Sequence, residues 1–216
     1  MTRVKLCGLM SAEDAAAANR CRPDYAGMIL SSGFRRSVTA QTAEQIRSTL
    51  FPEIPAVGVF VNAPVEEIAG FADRGIIQYV QLHGTEDNSY IRLLRQRCQC
   101  PVIKAFRITG PEDLHEAEQS KADLILLDSG TGTGIQLDWH LLTGFQRPYL
   151  LAGGLTPENA ETAVSMLHPF GVDVSSGIET NGRKDADKML RFTDTVRSTA
   201  QTVIHNHDVD KSGGKT

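Results

Sequence analysis

No run of apolar residues in this 216-residue chain approaches the ~20 that a membrane helix requires, so a membrane is not its partner. Basic residues form no stripe. The 22 Lys and Arg stand against 26 Asp and Glu, a net charge of -4, and nucleic acid is set aside as well. Cysteine is scarce: Cys7, Cys21, Cys98 and Cys100 offer no second pair to complete a zinc site of ordinary spacing. The N-terminus, MTRVKLCGLMSAED, meets acidic residues too early for a signal peptide. The sequence therefore reads as a cytoplasmic protein whose thiols stay reduced, with Cys21, Cys98 and Cys100 as small side chains near helix ends. No G-x-G-x-x-G turn follows the first apolar run, and no G-x-S-x-G elbow occurs anywhere, which removes a dinucleotide fold and a serine hydrolase.

What the chain does contain is an alternation of two textures. Short apolar or β-branched runs occur at 4–7, 25–30, 56–61, 78–82, 102–106, 123–127, 149–152 and 171–174. Between them lie stretches of helical spacing at 12–21, 43–50, 64–74, 88–98, 111–119, 138–143, 157–167 and 185–202. Runs such as LILLD and VGVFV are apolar throughout, as expected of strands covered by helices on a parallel sheet. Ser11 and Thr156 read as helix caps, with Pro157 at a first helical position, and Asn62-Ala63-Pro64 reads similarly. Eight alternations predict a single (βα)8 barrel of the TIM-barrel class, its sixth helix shortened at 138–143. The barrel is expected to occupy residues 1–204, and the polar, glycine-rich 205–216 a disordered tail.

In such a barrel the chemistry gathers where strands end. Strand ends here supply Lys5 and Cys7, Arg35 and Arg36, Asn62, Gln81 and His83, Lys104 and Arg107, Asp128, then Gly153 and Gly154, and Asp173 with Ser175, Ser176 and Gly177. AGGLTPEN and DVSSGIE, after the seventh and eighth strands, combine glycines and hydroxyls with a helix start, the makings of a phosphate cradle. Arg36 offers a second anion site, with a guanidinium fork suited to a carboxylate. Asp128 ends an apolar strand and so emerges at the rim. Facing it, Cys7 suits proton transfer, since a thiol titrates near enough to neutrality to serve as a base. A buried core thiol is the competing reading of Cys7.

KLCGL, GMILSSGFRRSVT, VGVFVN, VQLHGTED, LLDS followed by GTGIQLDW, LAGGLTPENA and DVSSGIETNGRKD, in order from Val4 to about Lys188, resemble the successive motifs of phosphoribosylanthranilate isomerases. The resemblance implies a cofactor-free (βα)8 enzyme of tryptophan biosynthesis, with no metal. It would convert N-(5-phosphoribosyl)anthranilate into 1-(2-carboxyphenylamino)-1-deoxy-D-ribulose 5-phosphate by an Amadori rearrangement. On the matching positions, Cys7 takes the part of general base and Asp128 that of general acid. Arg36 takes the anthranilate carboxylate, and Gly153, Gly154, Ser175, Ser176 and Gly177 fall in the phosphate loops. His83 matches a rim histidine of unspecified part. One departure is Ser31-Ser32-Gly33-Phe34, where the family carries an aromatic-x-proline before serine and arginine, so Arg35 competes with Arg36 for the carboxylate.

The implied partner is a small phosphoribosyl substrate bound by a monomer, with a homodimer as the alternative. Two other readings use the same loops. A related phosphosugar barrel such as indole-glycerol-phosphate synthase would want a catalytic lysine and an N-terminal extension, and a histidine-pathway isomerase an aspartate where Cys7 stands. A non-catalytic phosphate-binding barrel would have no use for Cys7 opposite Asp128.

Overall fold

The computed structural model describes residues 1–128 and 139–212, the last ten of these by their backbone. Eight parallel strands close in sequence order into a barrel. They are β1 (Arg3–Leu6), β2 (Tyr25–Ile29), β3 (Ala56–Phe60), β4 (Tyr79–Leu82), β5 (Val102–Arg107), β6 (Leu124–Asp128), β7 (Tyr149–Ala152) and β8 (Gly171–Val174). Closure pairs β1 with β8, Lys5 lying opposite Asp173 and Leu6 opposite Val174. The covering helices are α1 (Ala12–Cys21), α2 (Ala40–Thr49), α3 (Val65–Asp73), α4 (Asn88–Arg97), α5 (Pro111–Gln119), α6 (Ala160–Leu167) and α7 (Ala186–Ser212). A single 3-10 turn, Trp139–Leu142, stands where the shortened helix is expected. The GTGIQLDW motif and Ser129 lie largely outside the described residues, as do residues 213–216 of the expected tail.

Alternate residues of a strand face opposite sides of a sheet, and that period sorts the core into two layers. Val4 and Leu6 of β1 and Val172 and Val174 of β8 pack in the outer layer, between sheet and helices. Tyr25, Val57, Ile103, Ala105, Leu126, Leu150 and Ala152 form a separate buried cluster, the filling of the barrel interior. The interior rows of β1 and β8 therefore carry Lys5, Cys7 and Asp173. Outside, α7 buries Met189, Phe192 and Val196 completely, at spacings of three and four that place them on one helix face. Burial of side chains this size contributes roughly 1.5–3 kcal/mol each.

Ser11 caps α1 as expected, its Oγ accepting from Asp14 N at 3.3 Å. Three boundaries differ from the sequence reading. Thr156 does not cap α6: its N–H donates to Asn159 Oδ1 at 2.8 Å, a separate turn closes first, and the helix starts at Ala160. Pro64 is the cap residue of α3 rather than its first helical residue. The third concerns the C-terminus, where α7 continues past residue 205 to Ser212. Polar composition by itself does not end a helix, whose hydrogen bonds are local. Beyond β8 the chain also makes a small antiparallel hairpin, β9 (Glu179–Thr180) and β10 (Arg183–Lys184). No helix among the described residues is long and apolar enough to cross a membrane.

Candidate active site

The interior-facing rows of the strands run up to one rim, and the residues at their ends are the polar ones the sequence singles out. Cys7 follows β1 and is fixed by its backbone, N–H donating to Val174 O at 2.8 Å. Its side chain is buried against Gly27 of β2, where an added Cβ would lie 2.8 Å from Sγ. Two residues earlier on the same face, Lys5 is fully buried, with Nζ 2.9 Å from Asp173 Oδ1. Burial opposes the charge on Lys5, but Asp173 and then Cys7 outweigh it, so the ammonium is held above the usual lysine value. Burial and then Asp173 push the Cys7 thiol up; Lys5 and Lys184 pull it down without outweighing them, so the thiol sits above its usual value rather than near neutrality.

Asp128 ends β6 with its carboxylate 3.5 Å from His83 Nε2, both side chains partly open to solvent. His83 Nδ1 is 2.9 Å from Gln81 Nε2. Gln81 is buried in the interior row of β4, which fixes the ring plane. Nε2 is thus the ring nitrogen left facing Asp128. Gln81 Oε1 is buried without a hydrogen-bond partner, so that amide is only half satisfied.

On the other side of the rim a single carboxylate collects three cations. Glu179 of β9 accepts from Arg36 Nε at 2.5 Å and Nη2 at 3.2 Å, from Arg35 Nη2 at 2.5 Å, and from Lys184 Nζ at 3.1 Å. Its own burial works against ionisation. Arg36, then Arg35 and Lys184, outweigh it and hold the carboxyl down to about 2. Lys184 is itself buried and also donates to Ser175 O at 2.8 Å. Three positive charges against one negative leave this side of the rim attractive to an anion. The arginine pair after β2 is thus tied to the segment after β8, since Arg35 also donates to Gly182 O at 2.8 Å.

The two glycine-bearing loops meet between these groups. Gly153 and Gly154 take φ of 94° and 66°, a left-handed pair that an L residue enters only with strain. Gly177 lies in the 3-10 turn Ser176–Ile178, and a Cβ there would fall 1.8 Å from Leu155 O. Loop seven therefore rests directly on the backbone of loop eight. Gly154 O accepts from Asn159 Nδ2 at 2.9 Å, which joins that loop to the start of α6.

The structure thus brings Cys7, Arg36, Gly153, Gly154, Ser175, Ser176 and Gly177 to one rim, with His83 and Asp128 in contact on it. Sequence reasoning had no part for Glu179 and Lys184, although both lie within a quoted motif. The missed signal is Asn181-Gly182, a two-residue hairpin turn between β9 and β10 with φ of 51° and 76°. Among the described residues no cluster of His, Cys, Asp and Glu could hold a metal ion.

Comparison with known proteins gives the same direction. Residues 4–195 match the family model described as N-(5'phosphoribosyl)anthranilate (PRA) isomerase. An N-(5'-phosphoribosyl)anthranilate isomerase from Endomicrobium trichonymphae is 41% identical over 203 residues, covering 92% of this chain and 100% of that protein. The crystal structure of phosphoribosyl anthranilate isomerase from Thermotoga maritima superposes with a TM-score of 0.83 at 35% identity, covering 92% of this chain and 100% of that one. A phosphoribosyl anthranilate isomerase in complex with reduced 1-(o-carboxyphenylamino)-1-deoxyribulose 5-phosphate superposes at 0.80 with 34% identity, covering 92% and 100%. With a matching family model over most of its length and a closed eight-stranded barrel beneath it, the chain belongs to the N-(5'-phosphoribosyl)anthranilate isomerase family.

Proposed function

We propose that Cys7 and Asp128 are the acid–base pair by which this isomerase of tryptophan biosynthesis rearranges N-(5-phosphoribosyl)anthranilate. The observation that carries the assignment is that both groups end interior-facing rows at the same rim, with Lys5 and Lys184 acting on the thiol and His83 on the carboxyl. The substrate has an anion at each end. Its phosphate fits the loops holding Gly153, Gly154, Ser175, Ser176 and Gly177, and its carboxylate fits Arg36, whose side chain passes over Gly8, next to Cys7, with Cδ 2.7 Å from where a Cβ there would lie.

In that pose Asp128 donates its proton to the furanose ring oxygen as the C1–O bond breaks and the anthranilate nitrogen's lone pair forms the C1=N bond of a protonated Schiff base. The iminium acidifies the sugar C2, and the Cys7 thiolate takes the C2 proton, giving an enolamine. The enolamine then gains a proton at C1 while its C2 hydroxyl gives one up, which leaves the C2 carbonyl of the ketose product. The iminium nitrogen is the electron sink throughout. Positioned acid–base groups of this kind contribute about 10²–10⁴-fold each.

We propose a monomer, with a homodimer as the alternative, and residues 1–204 as its catalytic barrel. Its four cysteines are free thiols, which suits the cytoplasm. The decisive assay follows loss of the anthranilate fluorescence of the substrate together with appearance of the ketose. Binding without turnover by purified protein would overturn the reading.

A further inference from the structure

The proposed mechanism uses Cys7 as a base but leaves unexplained the ion pair buried directly beneath it. Lys5 is fully buried and Asp173 nearly so, and their Nζ–Oδ1 contact is 2.9 Å. Taking two charges out of water costs several kcal/mol per ion, and apolar residues of similar volume would serve a barrel core as well or better. A purely architectural purpose therefore explains this pair poorly.

Geometry supplies another purpose. Lys5 and Cys7 are two residues apart on one strand, so both face the interior. Their tips converge on one point: a Cβ on Gly27 would lie 2.8 Å from Cys7 Sγ and 3.2 Å from Lys5 Nζ. Gly27 is the gap that admits both. From that position the Lys5 charge pulls the thiol down against its burial.

Two other charged groups lie around the thiol. Asp173, on β8, opposes a thiolate. Lys184, on β10, favours one but is already engaged by Glu179, which Arg35 and Arg36 also hold. Lys5 is the cation that pairs with Asp173 and shares the gap at Gly27 with the thiol.

We propose that Lys5, fixed by Asp173, is a positioning residue that supplies the positive charge stabilising the Cys7 thiolate. The inference rests on the reading of Cys7 as the base. Asp173 acts only by holding Lys5, since its own charge disfavours the thiolate.

The test is the pH dependence of Cys7 alkylation by iodoacetamide, with the modified peptide quantified by mass spectrometry so that Cys21, Cys98 and Cys100 do not interfere. Lys5→Gln, which can still hydrogen-bond Asp173, and Lys5→Met should both move the midpoint to higher pH. Alkylation at pH 7 should slow by on the order of tenfold, one pH unit of thiolate population. Lys5→Arg should restore the midpoint even where it melts earlier. An unmoved midpoint in folded neutral variants overturns the proposal.

A second measurement needs no change at Lys5. Coupling between two sites is reciprocal, so the Lys5 ¹⁵Nζ resonance of the native protein should inflect at the Cys7 midpoint and lose that inflection in Cys7→Ser. A native lysine resonance blind to the thiol also overturns the proposal. If Cys7→Ser turns over normally while these shifts are seen, it is the base assignment that has failed and not the coupling.

Discussion

Arg36 and Glu179 grip each other across the mouth of the barrel: Nε donates to Oε1 at 2.5 Å and Nη2 to Oε2 at 3.2 Å, from positions 143 residues apart. The carboxylate orients the guanidinium before any ligand arrives, and orientation paid in advance is affinity kept. Arg35 reaches the same carboxylate with a side chain that is 53% exposed, against 20% for Arg36. The more buried of the two is the better placed to hold a substrate carboxylate.

Arg36→Ala should accordingly raise KM through loss of about 1–3 kcal/mol of charge-assisted contact, while kcat changes little. Arg35→Ala should leave KM within about twofold, because exposed ion pairs are worth little. Steady-state kinetics of the two variants decide the matter. A reversed pattern would assign the carboxylate to Arg35.

The same carboxyl predicts an acid response. A folded-state value of about 2 lies below the unfolded value of about 4.3, so its stabilisation is whole above the latter and is lost as pH falls between them. Thermal melts of the native chain and of Glu179→Gln should differ at pH 7 and converge near pH ~2. A gap that stays constant over that range would show that Glu179 is not ionised in the fold.

Cys7→Ser should lower kcat by ~10²-fold or more with KM and melting temperature near native, since a serine hydroxyl supplies no anion at neutral pH. Asp128→Asn should behave likewise, because an amide cannot donate the ring-opening proton. Alkylation of Cys7 should abolish turnover, and a bound product analogue should protect it. A structural thiol would instead show lost stability, retained kcat and no protection.

The two glycines of the phosphate loops should separate binding from folding. Gly154 has open space for a side chain, so Gly154→Asp costs only the left-handed strain, about 1 kcal/mol, and puts a carboxylate where phosphate belongs. KM should rise severely in a folded protein. At Gly177 even alanine drives a Cβ into Leu155 O, so Gly177→Ala should lower the melting temperature by roughly 5 °C or more as well as weaken binding. Calorimetry and KM on both variants test the pair.

How much of this could be read beforehand follows from the period of the signals. Strands of four to six residues flanked by helical stretches gave the barrel, and the residues ending those strands gave the rim. Cys7 and Asp128 were legible as rim positions because each ends a short strand run, VKL in one case and LILL in the other. Parity was legible too, and it would have put Lys5 and Asp173 together inside the barrel, but only with the register of β1 on β8, which no local pattern contains. Glu179 escaped because its meaning lies in Arg35 and Arg36, far away in sequence. The start of α6 was misplaced because Thr156-Pro157-Glu158 carries good capping chemistry that Asn159 diverts into a separate turn.

The bond between Lys5 and Asp173 spans 168 residues, joining the first barrel strand made to the last one of the barrel. During synthesis the thiol of Cys7 emerges early, but its proposed charge partner has nothing to anchor it until the eighth strand arrives. Chemical competence is therefore the final event of assembly rather than a property that grows with it. A chain cut short before Gly171 would carry the base yet lack its setting, and a circular permutant opened between β4 and β5 would need no new chemistry, only the same closure reached in a different order.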